Sequence, residues 1–90
     1  MAKVVMYSTQ FCPYCVRAKM LLERKGVEFT DIRVDIERER YSEMITRAGR
    51  SSVPQIFIND DHIGGCDDLY ALESQGQLDT KLGLSEGLTE

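Results

Sequence analysis

Cys12 and Cys15, standing as Cys-Pro-Tyr-Cys, are the residues of this chain with the clearest chemistry, and a third cysteine, Cys66, lies alone far downstream. A cysteine attacks a disulfide only as its thiolate, and a free thiol ionises near a pKa of about 8.5, so exchange at neutral pH needs something that favours the anion. A helix N-terminus does this through its unpaired N–H groups and aligned peptide dipoles. Cys12 precedes such a turn, whereas Cys15 lies one turn inside and is expected to be more buried and less acidic. Two unequal thiols suit a relay in which Cys12 attacks and Cys15 releases the mixed disulfide from three residues away. Cys-x-x-Cys also opens zinc-binding patterns. A structural zinc needs four ligands, however, and the other candidates, Cys66 and His62, lack the spacing of a second pair, so no metal is expected.

The elements that position the pair follow from the changes of period. Residues 3–7 form a short β-rich apolar run that ends at the polar Ser8-Thr9-Gln10, a buried strand leading into a loop. From Pro13 the period becomes helical: Cys15, Ala18 and Leu22 share one face, flanked by Val16 and Met20. Pro13 suits the first turn and Gly26 the stop. Residues 27–34 alternate as a second strand, so the opening strand–helix–strand implies parallel pairing through a right-handed crossover. Tyr41, Met44, Ile45 and Ala48 mark a second helix closed by Gly49 and able to cover one sheet face. Residues 53–58 and 61–63 read as a hairpin around Asn59-Asp60. After Gly64-Gly65, Asp67 is placed to cap a third helix that ends near Gly76, with Leu78 and Leu82 on a short last turn. The expected order is β-α-β-α-β-β-α.

Ninety residues allow one compact domain, expected over residues 1–82, with residues 83–90 as a loose tail. Eleven Lys and Arg against fifteen Asp and Glu give a net charge of −4, which argues against affinity built on neutralising phosphates; nucleic acid is not an expected partner. No apolar run approaches the ~20 residues that cross a bilayer, and the amino terminus turns polar too soon for a secretory signal. Three cysteines cannot form a closed disulfide framework and are too sparse for a secreted scaffold. A cytoplasmic monomer with no membrane partner is expected.

Three separated motifs in order now carry a resemblance: Cys12-Pro13-Tyr14-Cys15 after a strand, Ser52-Val53-Pro54 before a strand, and Gly64-Gly65-Cys66-Asp67-Asp68 before the last helix. Together they resemble the dithiol class of glutaredoxins, and the similarity to short bacterial members runs from Val4 to about Leu82. The resemblance implies a thioredoxin-like α/β fold, with a four-stranded mixed sheet flanked by helices. It also implies glutathione as reducing co-substrate, with disulfide-containing or glutathionylated proteins as the other partners.

Glutathione is then expected to lie across Cys12, Val53-Pro54 and the turn from Gly64 to Asp68. Pro54, cis in similar proteins, would leave the Val53 main chain free to pair with the tripeptide like an added strand; position alone favours a strand-entry proline at a sheet edge, and the resemblance reverses that order. Gly65 lets a ligand approach the backbone. The helix N-terminus at Cys66 and Asp67 can hold a carboxylate, and Asp67 can meet an ammonium group. Tyr14 would flank the mixed disulfide. Arg47 stands where the resemblance expects a side chain that reaches the glycine carboxylate, although a solvated cation at a helix C-terminus reads the same way. Cys66 is expected to line the site through its backbone, and His62 to be a strand residue. One departure stands out: many glutaredoxins carry Lys three residues before the first cysteine, and this chain has Thr9. Two other functions fit parts of the pattern, an iron–sulfur carrier of paired chains and a glutathione-independent partner of a dedicated reductase. The Pro13-Tyr14 pair weighs against the first and the Gly64-to-Asp68 motif against the second.

Overall fold

The computed structural model describes residues 2–84. Four strands, β1 (Val4–Ser8), β2 (Thr30–Arg33), β3 (Gln55–Ile58) and β4 (Asp61–Gly64), form one mixed sheet in the order β2-β1-β3-β4. β1 pairs in parallel with β2, with Tyr7 opposite Ile32, and antiparallel with β3, with Met6 opposite Ile56. The parallel pair needs a crossover, and helix α1 (Pro13–Arg24) supplies it. The β3–β4 hairpin turns through Asn59 and Asp60, both at positive φ, as expected of Asn-Asp turn chemistry.

Because strand side chains alternate, β1 feeds two cores. Val4 and Met6 pack with Ile56 and Ile58 against α1, helix α3 (Cys66–Ser74) and helix α4 (Leu78–Leu82). Val5 and Tyr7 pack on the other face with Ile32, Val34, Phe57 and Met44 of helix α2 (Glu39–Ala48). The sheet is therefore a middle layer, and the end of β1 emerges between the two helical layers at Cys12.

Several expected boundaries and faces differ. The second strand is confined to residues 30–33, where β1 offers ladder partners; Val27 and Phe29 instead pack against the α1-side core. The third strand begins at Gln55, since Pro54 has no N–H to give to a ladder. On α1 the buried face is Cys15, Ala18, Leu21 and Leu22, whereas Val16 and Met20 are about half exposed. At 100° per residue these two fall on the far side from the Cys15–Ala18–Leu22 line. The α2 stripe is only partly used: Met44 is buried, and Tyr41 and Ile45 stay at the surface.

Asp67 does not cap α3. Gly65 is the N-cap and Asp67 is exposed in the first turn, while the Asp68 carboxylate takes the Gly65 N–H at 2.9 Å. Leu78 and Leu82 form a helix of their own, α4, and are buried in the larger core. The order becomes β-α-β-α-β-β-α-α. Of the expected tail, residues 85–90 lie outside the described residues. No helix among the described residues is long and apolar enough to cross a membrane.

Candidate active site

The chain leaves β1 at Ser8 and is tied down before it reaches the first cysteine. Ser8 is fully buried and its hydroxyl donates to Asp31, which also pairs with Lys19 of α1 at 2.5 Å. Two residues on, the Gln10 N–H donates to Asp35 at 3.1 Å, and Arg33 grips the same carboxylate through two N–H groups. That clamp holds the Asp35 carboxyl well below the usual carboxylate range. Thr9 faces a separate recess with Val34, Asp35, Arg38 and Tyr41.

Cys12 is the N-cap of α1, with extended backbone angles, and Pro13 follows at the first helical position. Its sulfur accepts the Cys15 N–H at 3.1 Å, so one orphan donor of the helix end is satisfied by the thiol as by a side-chain oxygen in an ordinary cap. Cys12 is 9% exposed, its sulfur 3.9 Å from the Val53 carbonyl. Cys15 is 1% exposed. Burial pushes its thiol up, with the neighbouring Cys12 sulfur reinforcing the shift, so Cys15 stays protonated while Cys12 sits at the positive end of the helix. Both are free thiols. The expected asymmetry between the two is present in their surroundings.

Beside Cys12 runs an open groove of about 160 Å³. Among its lining residues it gathers Tyr14, Val53, Pro54, Gly65, Cys66 and Asp67 from three separate stretches of chain. The Val53–Pro54 peptide is cis. A Cβ added to Gly65 would lie 3.4 Å from the Pro54 carbonyl, which shows how closely the α3 turn approaches that segment. Tyr14 is 55% exposed at the rim. Cys66 lines the groove from the start of α3 and is buried there, with its thiol pushed up by burial.

Arg47 is not brought into this group. Its guanidinium lies 4.0 Å over the Phe57 ring, donates to the Tyr7 hydroxyl at 2.9 Å and pairs with Asp60 at 3.5 Å, all on the α2 side of the sheet. α2 covers that face, and the aromatic pair Tyr7–Phe57 receives the cation there. Arg50, Ser52 and Asp68 line the groove instead, and helix or strand periodicity does not mark them. The only sequence signal for Arg50 is a cation three residues before Val53. Arg50 pairs with Asp68 at 3.4 Å, and the Gly65 N–H and Arg50 together hold the Asp68 carboxyl below its usual range.

His62 belongs to β4: its Nε2 contacts the buried Gln55 Oε1 at 2.7 Å and its ring lies 5.0 Å from Phe57, while burial lowers its pKa. A larger recess of about 330 Å³ lies between the starts of β1 and β2 and Leu82–Leu84, at the strand ends remote from Cys12, and contains no thiol. No group of three or more His, Cys, Asp or Glu side chains poised for a metal ion occurs among the described residues.

A mixed sheet between helical layers, with a dithiol at the start of the first helix and a cis-proline loop beside it, defines a thioredoxin-like redox protein. The glutaredoxin family model matches residues 4–63. Glutaredoxin 3 of Escherichia coli K12 is 55% identical over 82 residues, covering 91% of this chain and 99% of that protein. The solution structure of a glutaredoxin from Brucella melitensis superposes with a TM-score of 0.81 at 52% identity, over 94% of this chain and 92% of that one. A buckwheat glutaredoxin–glutathione complex gives a TM-score of 0.85 at 30% identity, over 91% and 77%. The chain belongs to the glutaredoxin family, and its activity is that of a thiol–disulfide oxidoreductase.

Proposed function

We propose that this protein uses glutathione to reduce protein disulfides and protein–glutathione mixed disulfides through a Cys12–Cys15 relay. The observation that carries the reading is the Cys12 sulfur, accepting the Cys15 N–H at the helix N-terminus and lying against Val53 of the adjoining groove. The Cys12 thiolate attacks one sulfur of the substrate disulfide; that S–S bond breaks, and the departing thiolate takes up a proton. With a protein disulfide, Cys15 then loses its proton and attacks the Cys12 sulfur, releasing the second protein thiol and leaving a Cys12–Cys15 disulfide. Two glutathione thiols restore the dithiol and leave as glutathione disulfide, so two electrons pass in each cycle. With a glutathionylated protein, Cys12 takes the glutathionyl group and a second glutathione removes it. Cys15 is not required for that route.

In this reading the Val53 main chain pairs with the extended tripeptide, as an added strand does at a sheet edge. The N–H groups at Gly65, Cys66 and Asp67 receive the γ-glutamyl carboxylate, Asp67 meets the ammonium group, and Tyr14 flanks the mixed disulfide. Support comes from their gathering on one groove and from the glutathione bound to the buckwheat relative. Arg50 is assigned as the groove cation in place of Arg47, which is engaged across the sheet. The protein acts as a monomer in a reducing cytoplasm, where thiols are maintained by glutathione. Cys15→Ser separates the two routes: it is expected to keep deglutathionylation of a glutathionylated peptide and to lose most reduction of an intramolecular protein disulfide. Equal loss of both activities refutes the division between the thiols.

A further inference from the structure

We propose that the outer stripe of α1, headed by Phe11, is a docking track for oxidised protein clients, and that it takes an apolar segment bearing acidic residues next to the client's disulfide. The inference rests on the disulfide-reducing function proposed above and extends it to the choice of protein substrate.

Phe11 is 89% exposed and directly precedes Cys12, yet it does not line the groove assigned to glutathione. The Cys12 sulfur is recessed, so a client that delivers a disulfide sulfur to it must lay its flanking residues over the rim. One side of that rim is the groove. The other begins at Phe11 and continues through Pro13, Val16 and Met20, which recur at i, i+3 and i+7 on the helix that Cys12 caps. Pro13, Val16 and Met20 are all exposed. At 1.5 Å per residue this stripe runs for about 10 Å from the nucleophile, enough for three residues of extended peptide. Exposed apolar side chains lined up beside a reactive group are the usual mark of a binding surface, whereas isolated ones are not.

Charge selects the occupant. Within α1, Lys19 is tied to Asp31 and Glu23 is the single acid, while Arg17 and Arg24 form no ion pair among the described residues; Arg17 rests against the Tyr70 ring. This face is therefore locally cationic in a chain of net charge −4, and it suits a segment that alternates apolar and acidic side chains. Glutathione is too short to cover both the groove and this stripe, so the track discriminates among proteins and leaves the small thiol unaffected.

The test uses the full chain and three substrates: the mixed disulfide of glutathione with 2-mercaptoethanol, a cyclic-disulfide peptide flanked by Leu and Asp, and the same peptide with Ser and Lys in those places. Phe11→Ser and, separately, Val16→Ser with Met20→Ser are expected to lower kcat/KM for the Leu/Asp peptide about tenfold, mainly through KM. Turnover of the small mixed disulfide should stay within about twofold, and the preference for the Leu/Asp peptide should shrink to the part that Arg17 and Arg24 set through charge. Arg24→Glu should reverse the preference for charge. No loss on the Leu/Asp peptide, or an equal loss on all three substrates, overturns the proposal. With dithiothreitol as reductant, the peptide comparison stands even if the wild-type protein ignores the glutathione mixed disulfide. That last result would refute glutathione dependence alone.

Discussion

Gly64→Ala probes the turn that joins β4 to α3 and shapes one end of the groove. Gly64 has φ +120°, a region essentially closed to residues with a Cβ, and placing Ala there costs about 1–3 kcal/mol from the backbone alone. The added Cβ would also drive into the Asp68 carboxylate, which holds the Gly65 N–H at 2.9 Å. Asp68 must then rotate away and release that bond. Its side chain is 46% exposed, so solvent screens the interaction and the loss is set at the low end, about 1 kcal/mol. The total is about 2–4 kcal/mol, a large part of the 5–15 kcal/mol typical of a small domain. Urea unfolding followed by far-UV circular dichroism measures it, provided that the slope with denaturant is unchanged. In an Asp68→Ala background the collision with the carboxylate and the hydrogen bond are already absent, leaving only the residue-68 Cβ at 3.0 Å, so Gly64→Ala should cost about 1 kcal/mol less there. A cost below 1 kcal/mol in the wild-type background refutes the backbone reasoning, and equal costs in the two backgrounds refute the contact with Asp68.

Burial of Cys15 sets a pH dependence. Its pKa is raised in the fold, so its contribution to stability is complete below the unfolded value of about 8.5 and is lost as pH rises towards the folded one; Cys15→Ala should flatten this alkaline decline in unfolding titrations. At pH 8, iodoacetamide should label Cys12 and spare Cys15, as read by mass spectrometry of peptides; equal labelling would contradict the asymmetry. Leu78→Ala should cost about 2–5 kcal/mol, because Leu78 is fully buried in the larger core; a loss under 1 kcal/mol would place α4 outside the cooperative fold. Arg50→Ala should raise KM for a glutathionylated peptide about fivefold, equivalent to about 1 kcal/mol, with little change in stability. Arg47→Ala should do the reverse, since its contacts are Tyr7, Phe57 and Asp60. If Arg47→Ala instead gives the larger KM effect, the groove has been assigned the wrong cation.

Much of the site is legible in the chain because its chemistry is local. Cys12 caps the helix that Pro13 begins, and the i, i+3 spacing alone puts Cys15 one turn inside it. The hairpin at Asn59-Asp60 and the termination of α2 at Gly49 follow from turn and cap chemistry in the same way. What periodicity misplaces are side chains whose surroundings come from distant elements. Val16 and Met20 are apolar but face outward, because the sheet and α3 meet α1 on the Cys15–Ala18–Leu22 side. Asp67 is displaced as the capping acid by a local effect instead: with Gly65 as the N-cap, Asp68 stands at the third helical position and its carboxylate takes the Gly65 N–H in a capping box.

Arg47 and Arg50 show the same division within three residues of each other. One stacks on Phe57 across the α2 face and the other lines the groove, a difference that depends on where the chain turns after Gly49 and on which sheet face α2 covers. By itself, then, the sequence determined the redox pair, its place at a helix end and the order of elements up to α3, all consequences of short-range spacing and backbone preference. The tertiary structure alone decided which cation borders the groove and which face of α1 the sheet and α3 cover, and so which apolar side chains remain exposed beside the nucleophile. Those outcomes depend on contacts between residues far apart in the chain, and no local period encodes them.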